Sequence, residues 1–76
     1  MLIEVLGSGC RRCVQLADNA QAALAATGRS AQVVKVTAPA EIAARGVMAT
    51  PGLAIDGRVV STGRVLGPDD IARLLP

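Results

Sequence analysis

The sequence contains no Trp, Tyr or Phe and no His. Without aromatic rings the chain offers no platform on which unpaired bases could stack. Its eight Lys and Arg residues are scattered, and the net charge is only +2. Neither a basic stripe nor a stacking surface is present, which argues against nucleic acid as a partner. With no His and only two Cys, the chain cannot assemble by itself the four nitrogen and sulfur donors of a closed zinc site. No apolar run approaches the roughly 20 residues needed to span a membrane. The first residues lack the basic n-region of a secretory signal: Glu4 interrupts the apolar run, and Gly7 and Gly9 end it. The expected location is the cytoplasm, and the expected state a monomer.

Seventy-six residues are expected to form one domain, residues 1–76, near the lower end of what a single core can hold together. Half of the residues are hydrophobic and 14 are alanine, so Leu, Ile, Val and Ala must supply the core. Leu2-Ile3-Glu4-Val5-Leu6 reads as a first strand. A helix follows from about Cys10 to Thr27, with Cys13, Leu16, Ala17, Ala20 and Leu24 on one apolar face. Gln32 to Val36 reads as a second strand. Pro39 and Glu41 open a short helix that ends at Gly46. Gly52 to Ile55 and Arg58 to Ser61 read as two strands joined at Asp56-Gly57, a strong hairpin signal. Gly67-Pro68-Asp69-Asp70 opens a last helix that places Ile71, Leu74 and Leu75 on one face. The order β-α-β-α-β-β-α predicts an α/β fold. Its first β-α-β unit is a right-handed crossover between parallel strands, and its last two strands are antiparallel. The result is a four-stranded mixed sheet flanked by helices.

The two cysteines are separated by only Arg11 and Arg12, directly behind Gly7-Ser8-Gly9. This tetrad falls at a strand-to-helix turn, where unpaired backbone N–H groups favour negative charge. Thiolate is the reactive form of cysteine. An ordinary thiol of pKa ~8.5 is only about 3% ionised at pH 7, and lowering its pKa to ~7 raises that to about half. Cys10 is expected at the N-cap with its sulfur exposed, and Cys13 in the first turn facing inward. The two would therefore have unequal roles, Cys10 attacking and Cys13 resolving. A structural staple is the alternative. So short a loop would contribute only about 2 kcal/mol, and it would need an oxidising compartment.

Arg11 and Arg12 oppose the helix dipole at this position by roughly 0.3–1 kcal/mol each. A neighbouring thiolate would offset that cost and would itself be favoured. The alternatives are two solvated side chains, or a pair that attracts an acidic partner. Glu4 stands on a central strand, where an unpaired buried carboxylate is costly. Either it serves the site, or it points to a polar edge or pairs with Lys35 or an arginine.

This element order, with Gly-Ser-Gly-Cys10-x-x-Cys13, then Thr50-Pro51-Gly52, then the Asp56-Gly57 hairpin leading to Ser61-Thr62-Gly63, resembles the thioredoxin fold. It is similar to the small prokaryotic thioredoxin-like redox-active disulfide proteins. The resemblance covers essentially the whole chain. It implies a thiol–disulfide oxidoreductase with Cys10 and Cys13 catalytic and no cofactor beyond their own disulfide. The partners implied are a disulfide-containing protein substrate and a dithiol reductant or reductase. It also implies a cis Thr50–Pro51 bond beside the sulfurs, with Thr50 offering backbone hydrogen bonds to a substrate chain. Glu4, six residues before Cys10, matches the acid that shuttles a proton for the second cysteine in thioredoxins. The chain departs from that pattern in having no Trp before Cys10, no Gly-Pro between the cysteines and no Tyr of the glutaredoxin kind.

Two other readings use the same cysteines. Small copper chaperones also carry Cys-x-x-Cys after a first strand, and paired thiolates suit Cu(I) or Zn(II). Those proteins typically run β-α-β-β-α-β, whereas a second helix signal from Pro39 to Arg45 interrupts here, and Thr50-Pro51 has no role in that reading. A non-catalytic redox switch is the other.

Overall fold

The apolar run of the first strand is explained by its place at the centre of the sheet. The computed structural model describes residues 1–76. Strand β1 (Leu2–Leu6) pairs in parallel with β2 (Gln32–Val36) and antiparallel with β3 (Gly52–Ile55), which pairs antiparallel with β4 (Arg58–Thr62). The strand order is β2-β1-β3-β4. Strands β1 and β3 are covered on both faces, so they carry almost unbroken apolar sequence. The edge strands β2 and β4 carry polar residues, of which Gln32, Lys35, Arg58 and Thr62 are exposed.

Helices α1 (Arg11–Thr27) and α3 (Pro68–Leu74) cover one face, and α2 (Pro39–Ala44) lies on the other. On the α1 face, Ile3, Val5, Leu53 and Ile55 pack against Leu16, Leu24 and Ile71. Ala17, Ala20 and Ala23 are fully or nearly buried there. Their small side chains let the longest helix lie close to the sheet without aromatic filler. On the opposite face Leu6 and Ala54 meet Ile42 and Val47. No helix is long and apolar enough to cross a membrane.

Asp56 and Gly57 both take positive φ, 51° and 85°, the signature of a type I′ hairpin turn. Asp56 also ties the turn to β1: its carboxylate accepts from the Leu2 N–H at 2.8 Å and its own N–H donates to the Leu2 carbonyl at 2.8 Å. The fourth strand runs one residue beyond the expected Ser61, to Thr62. A bulge accounts for this, since Ala54 pairs with Val59 but Leu53 with Ser61, leaving Val60 as the extra residue. The last helix also differs from expectation. Ile71 is fully buried and Leu75 packs at its margin, but Leu74 is exposed. In so short a helix only the stripe through Ile71 meets the core, and the position three residues on turns to its edge.

Candidate active site

The site begins where β1 runs out. Cys10 has extended backbone (φ −68°, ψ 170°) and occupies the N-cap of α1, the position usually held by Ser, Thr, Asp or Asn. Its sulfur takes the role of the capping oxygen, accepting from the Cys13 N–H at 3.3 Å. No acidic residue stands in the first turn. The Cys10 sulfur is therefore the group placed to accept the helix's unpaired donors. Cys10 is exposed and Cys13 is buried, 4% accessible, with the two unbonded sulfurs 2.6 Å apart.

This arrangement lowers the Cys10 pKa. The Cys13 thiol hydrogen bond contributes most, the Cys13 backbone N–H next, and burial works against them; the Arg12 backbone N–H adds a smaller lowering. Arg12 thus acts on the sulfur through its main chain. Its guanidinium is directed elsewhere, donating to the Gly63 carbonyl at 2.9 Å. This bond tethers the start of α1 to the loop after β4. Arg11 is exposed and pairs with no carboxylate.

Two glycines bring the other segments to the dithiol. A Cβ on Gly7 would collide with the Cys13 sulfur and would lie 3.8 Å from the Pro51 Cα. Gly7 is therefore the bare patch against which the buried sulfur rests, with Pro51 alongside. The Thr50–Pro51 bond is cis, Pro51 is buried and Thr50 is exposed. The Pro51 carbonyl accepts from the Gly63 N–H at 2.9 Å. Gly63 has φ of 70°, and a Cβ there would press on that of Ala49 at 2.9 Å. A continuous chain of contacts thus runs from Arg12 through Gly63 to Pro51, and from Pro51 past Gly7 to Cys13.

Glu4 stands apart from this cluster. It pairs across the sheet with Ala54 and so faces α2, whereas Cys13 packs on the α1 face. Its carboxylate accepts from the Arg45 guanidinium, just beyond α2. The bond to Glu4 is the main cause of the raised Arg45 pKa, and burial opposes it. Of the two readings of Glu4, the structure supplies the arginine partner.

The residues missed from sequence are Gly7 as the seat of the second sulfur, Gly63 as the link to Pro51, and Arg45. Gly7 and Gly63 were visible only as loop glycines, since the atoms they make room for lie elsewhere in the chain. No set of three His, Cys, Asp or Glu side chains converges, so the two sulfurs are the donors any soft metal would find.

A family model described as a thioredoxin domain matches residues 1–76. A thioredoxin of Methanothermobacter thermautotrophicus is 36% identical over 75 residues, covering 99% of this chain and 97% of that protein. A thioredoxin of Methanocaldococcus jannaschii is 37% identical over 71 residues, covering 93% of this chain and 81% of that protein.

Proposed function

The chain belongs to the thioredoxin family and is a thiol–disulfide oxidoreductase, and from that premise we propose that Cys10 attacks, Cys13 resolves and the Thr50–Pro51 segment receives the substrate. The carrying observation is the inequality of the sulfurs: Cys10 exposed, capping a helix and lowered in pKa, Cys13 buried in contact with it. The Cys10 thiolate attacks one sulfur of a substrate disulfide. That S–S bond breaks, and the expelled thiolate takes a proton. Cys13, deprotonated, then attacks the Cys10 sulfur of the mixed disulfide and displaces the second substrate sulfur. The substrate gains two electrons and two protons; the chain ends with a Cys10–Cys13 disulfide. The reverse oxidation uses the same steps.

Thr50 is exposed next to the buried Pro51, so its backbone can pair with an extended substrate strand. Substrates are disulfide-containing proteins, and a dithiol reductant or reductase regenerates the reduced pair. The dithiol itself carries the electrons, so no further cofactor is required. The domain acts in the reducing cytoplasm, where a close Cys pair is more often catalytic than structural.

The test is covalent trapping. Cys13→Ser should accumulate mixed disulfides through Cys10, visible as mass adducts, whereas Cys10→Ser should form none and be inactive. Equal trapping by the two variants would refute the assigned roles. Turnover of many disulfide equivalents with a recycling reductant separates a catalyst from a one-shot switch.

A further inference from the structure

The rim of the dithiol carries positive charge on Arg11 and Arg12 that no ion pair balances. Three stretches form it: residues 5–17 with the cysteines, 42–55 with Thr50 and Pro51, and 57–68 with Gly63. Two hydrogen bonds of 2.9 Å hold them together, Arg12 to the Gly63 carbonyl and the Gly63 N–H to the Pro51 carbonyl. None of the three stretches contains an Asp or Glu. Arg11 and Arg12 stand between the cysteines; Arg64 follows Gly63, whose carbonyl Arg12 holds, and lines a depression with Asp70 and Arg73. Arg11, Arg12 and Arg64 are exposed, and none is in an ion pair; the pairs present are Arg45–Glu4 and Arg73–Asp70. Arg12 uses Nη2 on Gly63, and the structure gives its other donors no partner.

We propose that this rim selects substrate: the enzyme prefers disulfides whose cysteines are flanked by Asp or Glu, with Arg11 and Arg12 as the main specificity-determining residues and Arg64 as an outlying third. The proposal rests on the redox reading above and adds the substrate class. An acidic flank meets unpaired guanidiniums whose cost at a helix N-terminus it offsets. Complementary charge of this kind acts chiefly on the encounter rate and weakens as salt screens it.

The experiment uses the full reduced chain and two peptides, each closed by one disulfide, identical except for Glu or Gln beside the cysteines. Reduction is followed in a single turnover by chromatography of the released dithiol peptide. Each rate is divided by that with dithiothreitol at about 1 M ionic strength, where repulsion between its attacking thiolate and the Glu side chains is screened, so that the intrinsic reactivity of each peptide cancels. At about 0.01 M ionic strength the normalised rate for the Glu peptide should exceed that for the Gln peptide by about fivefold or more. At about 1 M, where the screening length is near 3 Å, the ratio should fall towards one. Arg11→Gln and Arg12→Gln should each cut the low-salt ratio by about half or more, Arg64→Gln by less. Arg29→Gln, which removes the same charge beyond the far end of α1, should leave the ratio intact. A ratio of one at low salt, or one that survives the Arg11→Gln/Arg12→Gln pair, overturns the charge selection and leaves the redox reading standing. Failure to reduce either peptide, with dithiothreitol reducing both, removes the redox reading and this proposal with it.

Discussion

At the scale of single residues, the site turns on a sulfur in a helix-capping position. Because the Cys10 pKa is lowered, first by the Cys13 thiol and then by the Cys13 N–H, the thiolate persists to lower pH than in free cysteine. The rate of Cys10 alkylation should therefore rise with pH through a midpoint below that of a free cysteine thiol. Cys13→Ala removes the leading cause while keeping the N–H, so the midpoint should move up towards the ordinary value. A midpoint that stays put in Cys13→Ala would detach the sulfur pair from the acidity of Cys10. Arg12→Gln keeps its backbone N–H and should leave the midpoint close to that of the parent chain, since exposed charges act weakly; a clear rise would restore a direct charge role to the guanidinium. Gly7 sets a second limit. Gly7→Ala drives a methyl into the Cys13 sulfur, and overpacking of this kind costs about 1–3 kcal/mol. The variant should be less stable to urea and slower to resolve a mixed disulfide. Normal resolution would mean that Cys13 has room the geometry denies it.

At the scale of elements, local chemistry and the sequence agree where a short segment decides the outcome. The Asp56-Gly57 pair was legible as a hairpin because its backbone demand is met within two residues. Pro39 and Pro68 marked helix starts for the same reason. The bulge at Val60 was not legible, because it is a property of two strands in register. The exposure of Leu74 was equally hidden, because spacing alone does not say where the covering helix ends. Asp56 offers a quantitative check. Replacement by Ala loses the carboxylate that accepts from the Leu2 N–H, about 0.5–1.5 kcal/mol. It also puts a residue with no local side-chain hydrogen bond into the left-handed region at φ 51°, about 1–2 kcal/mol more. Asp56→Ala should therefore lower stability by roughly 1.5–3.5 kcal/mol in urea unfolding, on those two counts. Asp56→Asn keeps both a carbonyl oxygen and tolerance of positive φ, and should lose less than half as much. Equal losses would show that charge, rather than turn geometry, matters at this corner.

At the scale of the whole molecule, the dithiol and its backbone neighbours lie around the end of β1, while the Glu4–Arg45 pair is held on the sheet's other face. The sequence announced the cysteines, Thr50-Pro51 and the succession of elements, because each is carried by adjacent residues; the spatial order β2-β1-β3-β4 was not legible, because it rests on the long-range pairing of β1 with β3. It left the partner of Glu4 open, because Arg45 is 41 positions away and only the path of α2 brings it back. That pair bears on overall stability. The Glu4 side chain is 11% exposed and that of Arg45 28%, so taking either alone leaves the other poorly solvated. Loss of one partner of a buried pair costs about 3–5 kcal/mol, to be reduced here for the access Arg45 keeps to water. A chain of this length has a total stability of roughly 4–11 kcal/mol by the usual per-residue range, so even the lower figure is a large fraction. Arg45→Met should thus destabilise by about 2–3 kcal/mol. The double variant Glu4→Leu/Arg45→Met, which removes both charges and fills the space with apolar atoms, should recover most of that loss. Urea unfolding of the four proteins closes the cycle. If the double variant is as unstable as the sum of the singles, the two groups contribute independently, and the pair is not what tolerates a carboxylate on the central strand.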